Sequence, residues 1–246
     1  MSAGKEQQLL EAVVLAGGLG TRLRGVVPDL PKPMAPVAGR PFLEYQLDYW
    51  IDQGVSRFIL SLGYRPEAFI QHFGNTYRGV EIAYSVEPQP LGTGGGVLLA
   101  TTRLKGQGTF LVLNGDTLGD VNLPRLLTQH REVSAEMTLA LIRVSTGGRF
   151  SGVDVDAEGR VLAFQDAAET PCPLVNAGVY LVERFFLASL GWDAGDRFSI
   201  EADGFPRMLG RRDKLFACEA LTQFLDIGVP EDYYRADEFI LNLRRK

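Results

Sequence analysis

Arg22, Arg24 and Lys32 place three cations within eleven residues of a chain whose net charge is −5, and they follow the run Gly17-Gly18-Leu19-Gly20-Thr21. Closely spaced glycines let backbone N–H groups approach an anion and form a concave nest, and guanidinium or ammonium groups beside such a nest suit a polyphosphate. Lys32 stands between Pro31 and Pro33, whose rings restrict the backbone on both sides and so limit where the lysine points. Two carboxylates complete the set. Asp116, in Asn114-Gly115-Asp116, and Asp226, in Asp226-Ile227-Gly228, end the β-rich runs TFLVLN and TQFLD, where a side chain can project above the ligand edge of a sheet. A magnesium ion that keeps several waters needs only one or two carboxylates plus substrate phosphates. Taken singly, each aspartate reads as a turn residue or a helix N-cap, and Pro230 makes that concrete for Asp226. Beside a basic glycine loop, the pair points to Mg²⁺.

Other chemistries are excluded by what the chain lacks. There is no GxxxxGK[ST] motif, and Leu23 stands where the dinucleotide fingerprint needs a glycine or alanine. His72 and His130 are the only histidines, and neither is near a motif that would suggest a Ser or Cys triad. Cys172 and Cys218 fall outside any metal or redox spacing. An acidic chain offers no general nucleic-acid surface, so any bound anion must meet a local positive site. The first residues, MSAGKEQQLLEA, are polar, and no apolar run approaches the roughly 18 residues a membrane span needs. The expected setting is the cytoplasm, with no membrane or nucleic-acid partner, as a monomer or homo-oligomer.

The elements that must position these groups read in two halves. AVVLA (12–16), RFILSL (57–62), VEIAYSV (80–86) and TFLVLN (109–114) are continuous apolar runs, separated by the helical patterns FLEYQLDYWIDQG (42–54), PEAFIQHF (66–73) and GGVLLATTRL (95–104). Such alternation predicts βαβ units, a largely parallel sheet covered on both faces, and ligands at the carboxyl ends of its strands. From residue 136, MTLALIRV, FSGVDVD and RVLAF predict longer antiparallel strands, with a hairpin turn at Asp156-Ala157-Glu158-Gly159. VNAGVYLV, KLFACEA and TQFLDI add strands, and PEDYYRADEFILNL (230–243) predicts one amphipathic helix. At 246 residues, 46% of them hydrophobic, one domain over 1–246 is expected.

GGLGTRL with LPKPM, PLGTGGG at 90–96, NGD at 114–116, NAGVY at 176–180 and DIGVPEDY at 226–233 resemble, in order and spacing, the sugar-1-phosphate nucleotidylyltransferases. The likeness spans about residues 11–240. Within that family it is nearest to the guanylyltransferases acting on D-glycero-α-D-manno-heptose 1-phosphate, which FSIEADGFP at 198–206 also resembles. The resemblance implies a glycosyltransferase-A-like three-layer α/β/α sandwich with a nucleotide half at about 11–135 and a sugar-phosphate half at about 136–246. It implies GTP and a sugar 1-phosphate as substrates, a GDP-sugar and pyrophosphate as products, and Mg²⁺ as cofactor. By the same likeness Leu15, Ala16, Gly17, Gly18, Gly20, Thr21, Glu87, Gly92, Thr93, Asn114 and Gly115 would bind nucleotide. Arg22, Lys32 and Asp116 would be catalytic, Asp116 and Asp226 would hold the metal, and closure over GTP is expected in the loop from Gly25 to Leu30.

Glu87 carries a further argument. Related uridylyl- and thymidylyl-transferases commonly place a glutamine five residues before the glycine of Leu91-Gly92, to read a pyrimidine edge; this chain has a glutamate there. A carboxylate only accepts, and guanine offers two adjacent donors at N1 and N2, whereas a uracil or thymine edge offers one donor between two acceptors. Glu87 therefore favours GTP; a solvated residue of the Glu87-Pro88-Gln89-Pro90 turn is the competing reading. For the sugar phosphate, the resemblance points to Gly152, Asn176, Ala177 and Gly178. Glu201 and Asp203 are candidates for hydroxyl recognition or, with Ser199 as N-cap, for helix capping. One position departs: Ala167 in Phe164-Gln165-Asp166-Ala167 stands where many members carry a phosphate-binding lysine, and Arg149 or Arg143 are the candidates to replace it. A sugar-transferring glycosyltransferase would usually present an Asp-x-Asp pair instead of Asn114-Gly115-Asp116, and a non-catalytic nucleotide-sugar sensor would not need Arg22, Lys32, Asp116 and Asp226 together.

Overall fold

The computed structural model describes residues 10–18, 20–23, 25–144, 152–165 and 172–243. In chain order the first half runs β1 (Glu11–Leu15), the short pair β2 (Pro36–Val37) and β3 (Arg40–Pro41), α1 (Phe42–Asp52), β4 (Arg57–Leu62), α2 (Pro66–Phe73), β5 (Thr76–Tyr77), β6 (Val80–Val86), α3 (Gly92–Thr101) and β7 (Phe110–Asn114). Then follow β8 (Thr117–Gly119), α4 (Leu123–Glu132), β9 (Met137–Arg143), β10 (Gly152–Val155), β11 (Val161–Gln165), β12 (Leu174–Val182) and α5 (Phe186–Ser189). A π-helical turn (Ile200–Gly204) leads into α6 (Phe205–Arg211), and β13 (Leu215–Leu221), β14 (Phe224–Asp226), α7 (Pro230–Tyr233) and α8 (Ala236–Leu243) close the described chain.

The central strands are apolar on both sides because both sides are covered. Ala12 and Val14 of β1 belong to one core with residues of α1, α2 and α4, while Val13 faces a second core with residues of α3, α5 and α6. β6, β4, β1 and β7 form a parallel sheet in that spatial order, which makes the mostly parallel, three-layer α/β/α fold expected from the sequence. Fully buried Phe58, Phe69 and Phe110 anchor the layers, each worth about 1.5–3 kcal/mol relative to exposure.

β12 joins the two halves. It runs antiparallel to β7 through Val179–Val182 and antiparallel to β9 along its length, while Gly152 of β10 pairs with Val175. β13 then adds to β9 in parallel. The β10–β11 hairpin turns where predicted: Asp156 Oδ1 accepts from the N–H groups of Glu158 and Arg160 at 3.1 and 2.8 Å.

The C-terminal segment departs from the expected single helix. Arg235 N bonds to Asp232 O at 3.1 Å, an i→i−3 contact that tightens the chain after Tyr233, and α8 then turns Ala236 and Ile240 into a third core. Leu23 and Val27 of the basic loop, Leu118 of β8, and Leu225 and Ile227 around β14 share that core. A local apolar cluster thus ties the loop to the strands that carry Asp116 and Asp226. Among the described residues, no helix is long and apolar enough to cross a membrane.

Candidate active site

The ends of β1 and β7 open onto a cavity of about 610 Å³, where ligands bind in open parallel sheets. Leu15, Ala16, Gly17, Gly18, Gly20, Thr21 and Arg22 line it from β1 and its loop, with Lys32 beyond. Glu87, Gly92 and Thr93 line it from the β6–α3 connection, and Asn114, Asp116 and Gly228 from the turns after β7 and β14. Gly115 sits against the end of β1, where its N–H donates to Leu15 O at 2.9 Å.

Lys32 is held by its neighbours in sequence and space. Pro31 starts a single 3₁₀ turn, Lys32–Met34, whose Pro33 and Met34 are buried. Gly20 adopts the left-handed φ of +59°, and a Cβ there would lie 3.2 Å from the Lys32 Cβ. The loop must therefore be glycine where it crosses the lysine. From this seat Lys32 Nζ forms an ion pair with Asp116 Oδ2.

Asp116 and Asp226 meet through a two-stranded ribbon. β14 pairs antiparallel with β8, setting Asp226 beside Thr117, and Ile227 N donates to Asp116 O at 3.0 Å. Sequence reasoning omitted β8, because three residues carry too little periodicity to read. It also omitted Gln46, a buried side chain of α1 whose Nε2 donates to both Asn114 O and Thr117 O at 2.7 Å and so fixes the turn bearing Asp116. Val27 is buried in the third core and Arg65 Nη1 donates to Asp29 O, so the loop from Gly25 to Leu30 is fastened at two points.

Glu87 is half-buried rather than a freely solvated turn residue. Its Oε2 accepts from Leu91 N at 2.9 Å, its Oε1 faces the Ser61 hydroxyl at 3.4 Å, and a Cβ on Gly17 or Gly96 would come within 2.9 or 2.8 Å of Oε1. Burial pushes its carboxyl pKa up, against the opposing pull of the Leu91 and Ser61 bonds. Glu87 lines the cavity, and in its ionised form it only accepts.

The glycines of PLGTGGG serve a contact that sequence reasoning missed. A Cβ on Gly92 would lie 2.5 Å from Phe198 O, one on Gly94 2.1 Å from the Phe198 ring, and one on Gly95 2.2 Å from Asp196 O. Phe198 N donates to Leu91 O at 2.9 Å, and Gly94 N donates back to Phe198 O at 3.0 Å. The start of α3 is thus a bare surface on which the segment from Asp196 to Ser199 docks. A glycine run inside a helix is the signal for such close approach.

Through that docking, Thr93 reaches the sugar-side candidates. Its Oγ1 accepts from Ile200 N at 2.9 Å and donates to Glu201 Oε2 at 2.6 Å; Ser199 Oγ donates to the same oxygen at 2.9 Å. Asp203 caps the π-helical turn by accepting from Ser199 N at 2.8 Å, while Ser199 Oγ accepts from Glu201 N and Ala202 N. Asn176 lies at a break in the β12–β9 register, donating to the buried Tyr180 hydroxyl at 2.8 Å and accepting from Gly178 N at 3.0 Å. Bulged strands re-aim side chains in this way beside binding sites. Ala177 is buried in the first core, and Gly152 packs against Cys172. Arg143 pairs with Glu219 at 2.8 Å, and Arg149, Asp166 and Ala167 lie outside the described residues.

Residues 11–242 match the family described as nucleotidyl transferase. The D-glycero-alpha-D-manno-heptose 1-phosphate guanylyltransferase of Aneurinibacillus thermoaerophilus is 38% identical over 231 residues, covering 93% of this chain and 97% of that protein. The mannose-1-phosphate guanylyltransferase of Mycobacterium tuberculosis is 39% identical over 92% of this chain, a stretch equal to 63% of its own length. Among solved structures, HddC from Yersinia pseudotuberculosis, crystallised with GMP-PN, superposes with a TM-score of 0.79 at 32% identity over 94% of this chain and 99% of that one.

Proposed function

The chain belongs to the nucleotidyl transferase family, and from that premise we propose that it transfers GMP from GTP to D-glycero-α-D-manno-heptose 1-phosphate, giving a GDP-sugar and pyrophosphate. The observation that carries the reading is Glu87, an acceptor-only carboxylate at the wall of the same cavity that Arg22, Lys32 and Asp116 line. Guanine, with two adjacent donors, is the base whose edge it fits.

The sugar phosphate's own oxygen is the nucleophile and attacks the α-phosphate in line with the departing pyrophosphate. Little covalent work falls to the protein, so positioning and charge neutralisation dominate. Backbone N–H groups at Gly17, Gly18 and Gly20 receive the triphosphate, and Arg22 and Lys32 offset charge at the α-phosphate and leaving group.

Asp116 and Asp226 are the carboxylates that would hold Mg²⁺: Asp116 lines the cavity, and the β8–β14 ribbon sets Asp226 beside Thr117, the next residue. A cation held there takes its remaining ligands from substrate phosphates and water. Bound Mg²⁺ would supply charge neutralisation at the transferring phosphate. Glu201 and Asn176 face the sugar hydroxyls, and the cytoplasm is the setting for the reaction.

Mannose 1-phosphate is the second acceptor to consider, because the mycobacterial mannose-1-phosphate enzyme is similar over nearly the whole chain. The deciding experiment assays pyrophosphate release for GTP, ATP, UTP, CTP and TTP against heptose, mannose, glucose and N-acetylhexosamine 1-phosphates with Mg²⁺. Highest kcat/KM with GTP and the heptose phosphate supports the proposal. A higher value for any other pair overturns it.

A further inference from the structure

Lys32 lines the cavity, and its charge is already engaged there by a carboxylate. Its ammonium is paired with Asp116, and it also borders Asp226: a Cβ on Gly228 would lie 3.2 Å from Lys32 Nζ and 2.7 Å from Asp226 Oδ1. One cationic head is thus paired with the first carboxylate and shares the corner at Gly228 with the second. The seat is built for this. Pro31 and the 3₁₀ turn fix the lysine backbone, Gly20 leaves space for its stem, and Gly228 leaves space for its head. A divalent cation entering alone would have to displace an ammonium already neutralising Asp116, and it would find only two protein carboxylates to replace its water shell.

We propose that Lys32 is a placeholder cation: its ammonium occupies the Asp116–Asp226 site until a nucleoside triphosphate draws it away, so that the divalent ion enters with the nucleotide and not before it. The inference rests on the reading of Asp116 and Asp226 as metal carboxylates. Triphosphate oxygens offer the ammonium a stronger partner than a single carboxylate, and the same oxygens complete the coordination of the incoming cation. Exchange of one cation for another keeps the two carboxylates compensated throughout. The ordering follows from that competition.

The test is direct binding of Mn²⁺, read by the loss of its free electron paramagnetic resonance signal, with no nucleotide and no turnover. Lys32→Met keeps the apolar stem and removes the charge; Lys32→Gln is a second version in case the first does not fold, and circular dichroism checks both. Without nucleotide, the variants should bind Mn²⁺ about tenfold or more tightly than the wild type, because a unit positive charge has left the site. The gain should vanish when Asp226→Asn is added. Against a protein-free control of Mn²⁺ with a non-hydrolysable GTP analogue, which itself binds the ion, wild-type protein should remove a further large share of the free signal. Equal or weaker Mn²⁺ binding by both lysine variants, or a gain that survives Asp226→Asn, overturns the placeholder role. Wild-type protein that binds no Mn²⁺ even with the analogue overturns the metal assignment itself, a distinguishable failure.

Discussion

Glu87→Gln is the substitution that most sharply tests how this cavity chooses its base. The two side chains are nearly isosteric, so the amide oxygen can keep the bond from Leu91 N, now made at 2.9 Å by Oε2, and the fold around Gly17 and Gly96 has no reason to move. What changes is the other atom, Oε1, which now accepts from the Ser61 hydroxyl at 3.4 Å. It becomes an NH₂ donor, and the side chain loses the negative charge with which, in the proposed reading, it would accept from guanine. Loss of a charge-assisted bond of this kind is worth about 1.5–3 kcal/mol, or roughly 10- to 150-fold in kcat/KM for GTP. A pyrimidine edge, which offers acceptors, gains at the same time. The assay is pyrophosphate release with GTP, UTP and TTP at a fixed sugar 1-phosphate, and the quantity is the GTP/UTP ratio of kcat/KM. A ratio within twofold of the wild type refutes the reasoning. Proton linkage gives a second reading. Burial raises the Glu87 pKa, so the folded state binds this proton more tightly than the unfolded state does. Its contribution to stability is therefore present below the unfolded carboxylate range and is lost as pH rises through the folded pKa. GTP preference has the opposite sign and falls as pH drops through that raised pKa, whereas the Gln variant should show neither dependence.

Lys32→Ala and Asp116→Asn should each lower kcat at least about 100-fold, the scale of removing one preorganised transition-state contact, as measured by pyrophosphate release; near-normal turnover in folded protein would remove those roles. Gly94→Ala should destabilise the fold by about 1–3 kcal/mol in urea titration, since its Cβ would lie 2.1 Å from the Phe198 ring. Adding Phe198→Leu should recover part of that loss, and strictly additive effects would show that the docking contact is not responsible. Thr93→Val removes the hydroxyl that donates to Glu201 at 2.6 Å. It should raise KM for the sugar 1-phosphate about 10-fold, more than KM for GTP, while Thr93→Ser behaves as wild type; an unchanged KM for the sugar 1-phosphate would remove the link through Glu201.

The parallel core was legible because β1, β4 and β7 are buried on both faces and so read as continuous apolar runs. The phosphate side of the cavity was legible for another reason: Gly17 to Lys32 is a local stretch, and its chemistry is carried by residues close in sequence. Contacts between distant short segments were not. β8 and β14 are three residues each, so neither announces the pairing that sets Asp226 beside Thr117. Gly92 of PLGTGGG was expected to contact nucleotide and does line the cavity, yet Gly92 and Gly94 also answer to Phe198, a partner that only tertiary structure supplies. Likewise, no pattern in PEDYYRADEFILNL marks the tightening at Arg235 that divides it into α7 and α8.

The ribbon of β8 and β14 also sets a schedule. Domains assemble as they emerge from the ribosome, amino-terminal parts first. A chain that has been made through α6 already contains the glycine loop, Lys32, Glu87 and the turn bearing Asp116, and so every nucleotide-facing group of the cavity except those near Gly228. It lacks the second proposed carboxylate, and it lacks the strand that braces the first. Such an intermediate also lacks Leu225, Ile227, Ala236 and Ile240, the residues against which Leu23 and Val27 of the glycine loop pack. The last part of the described chain to be synthesised is thus the part that closes the third core over the loop and fixes the cavity wall that carries Lys32.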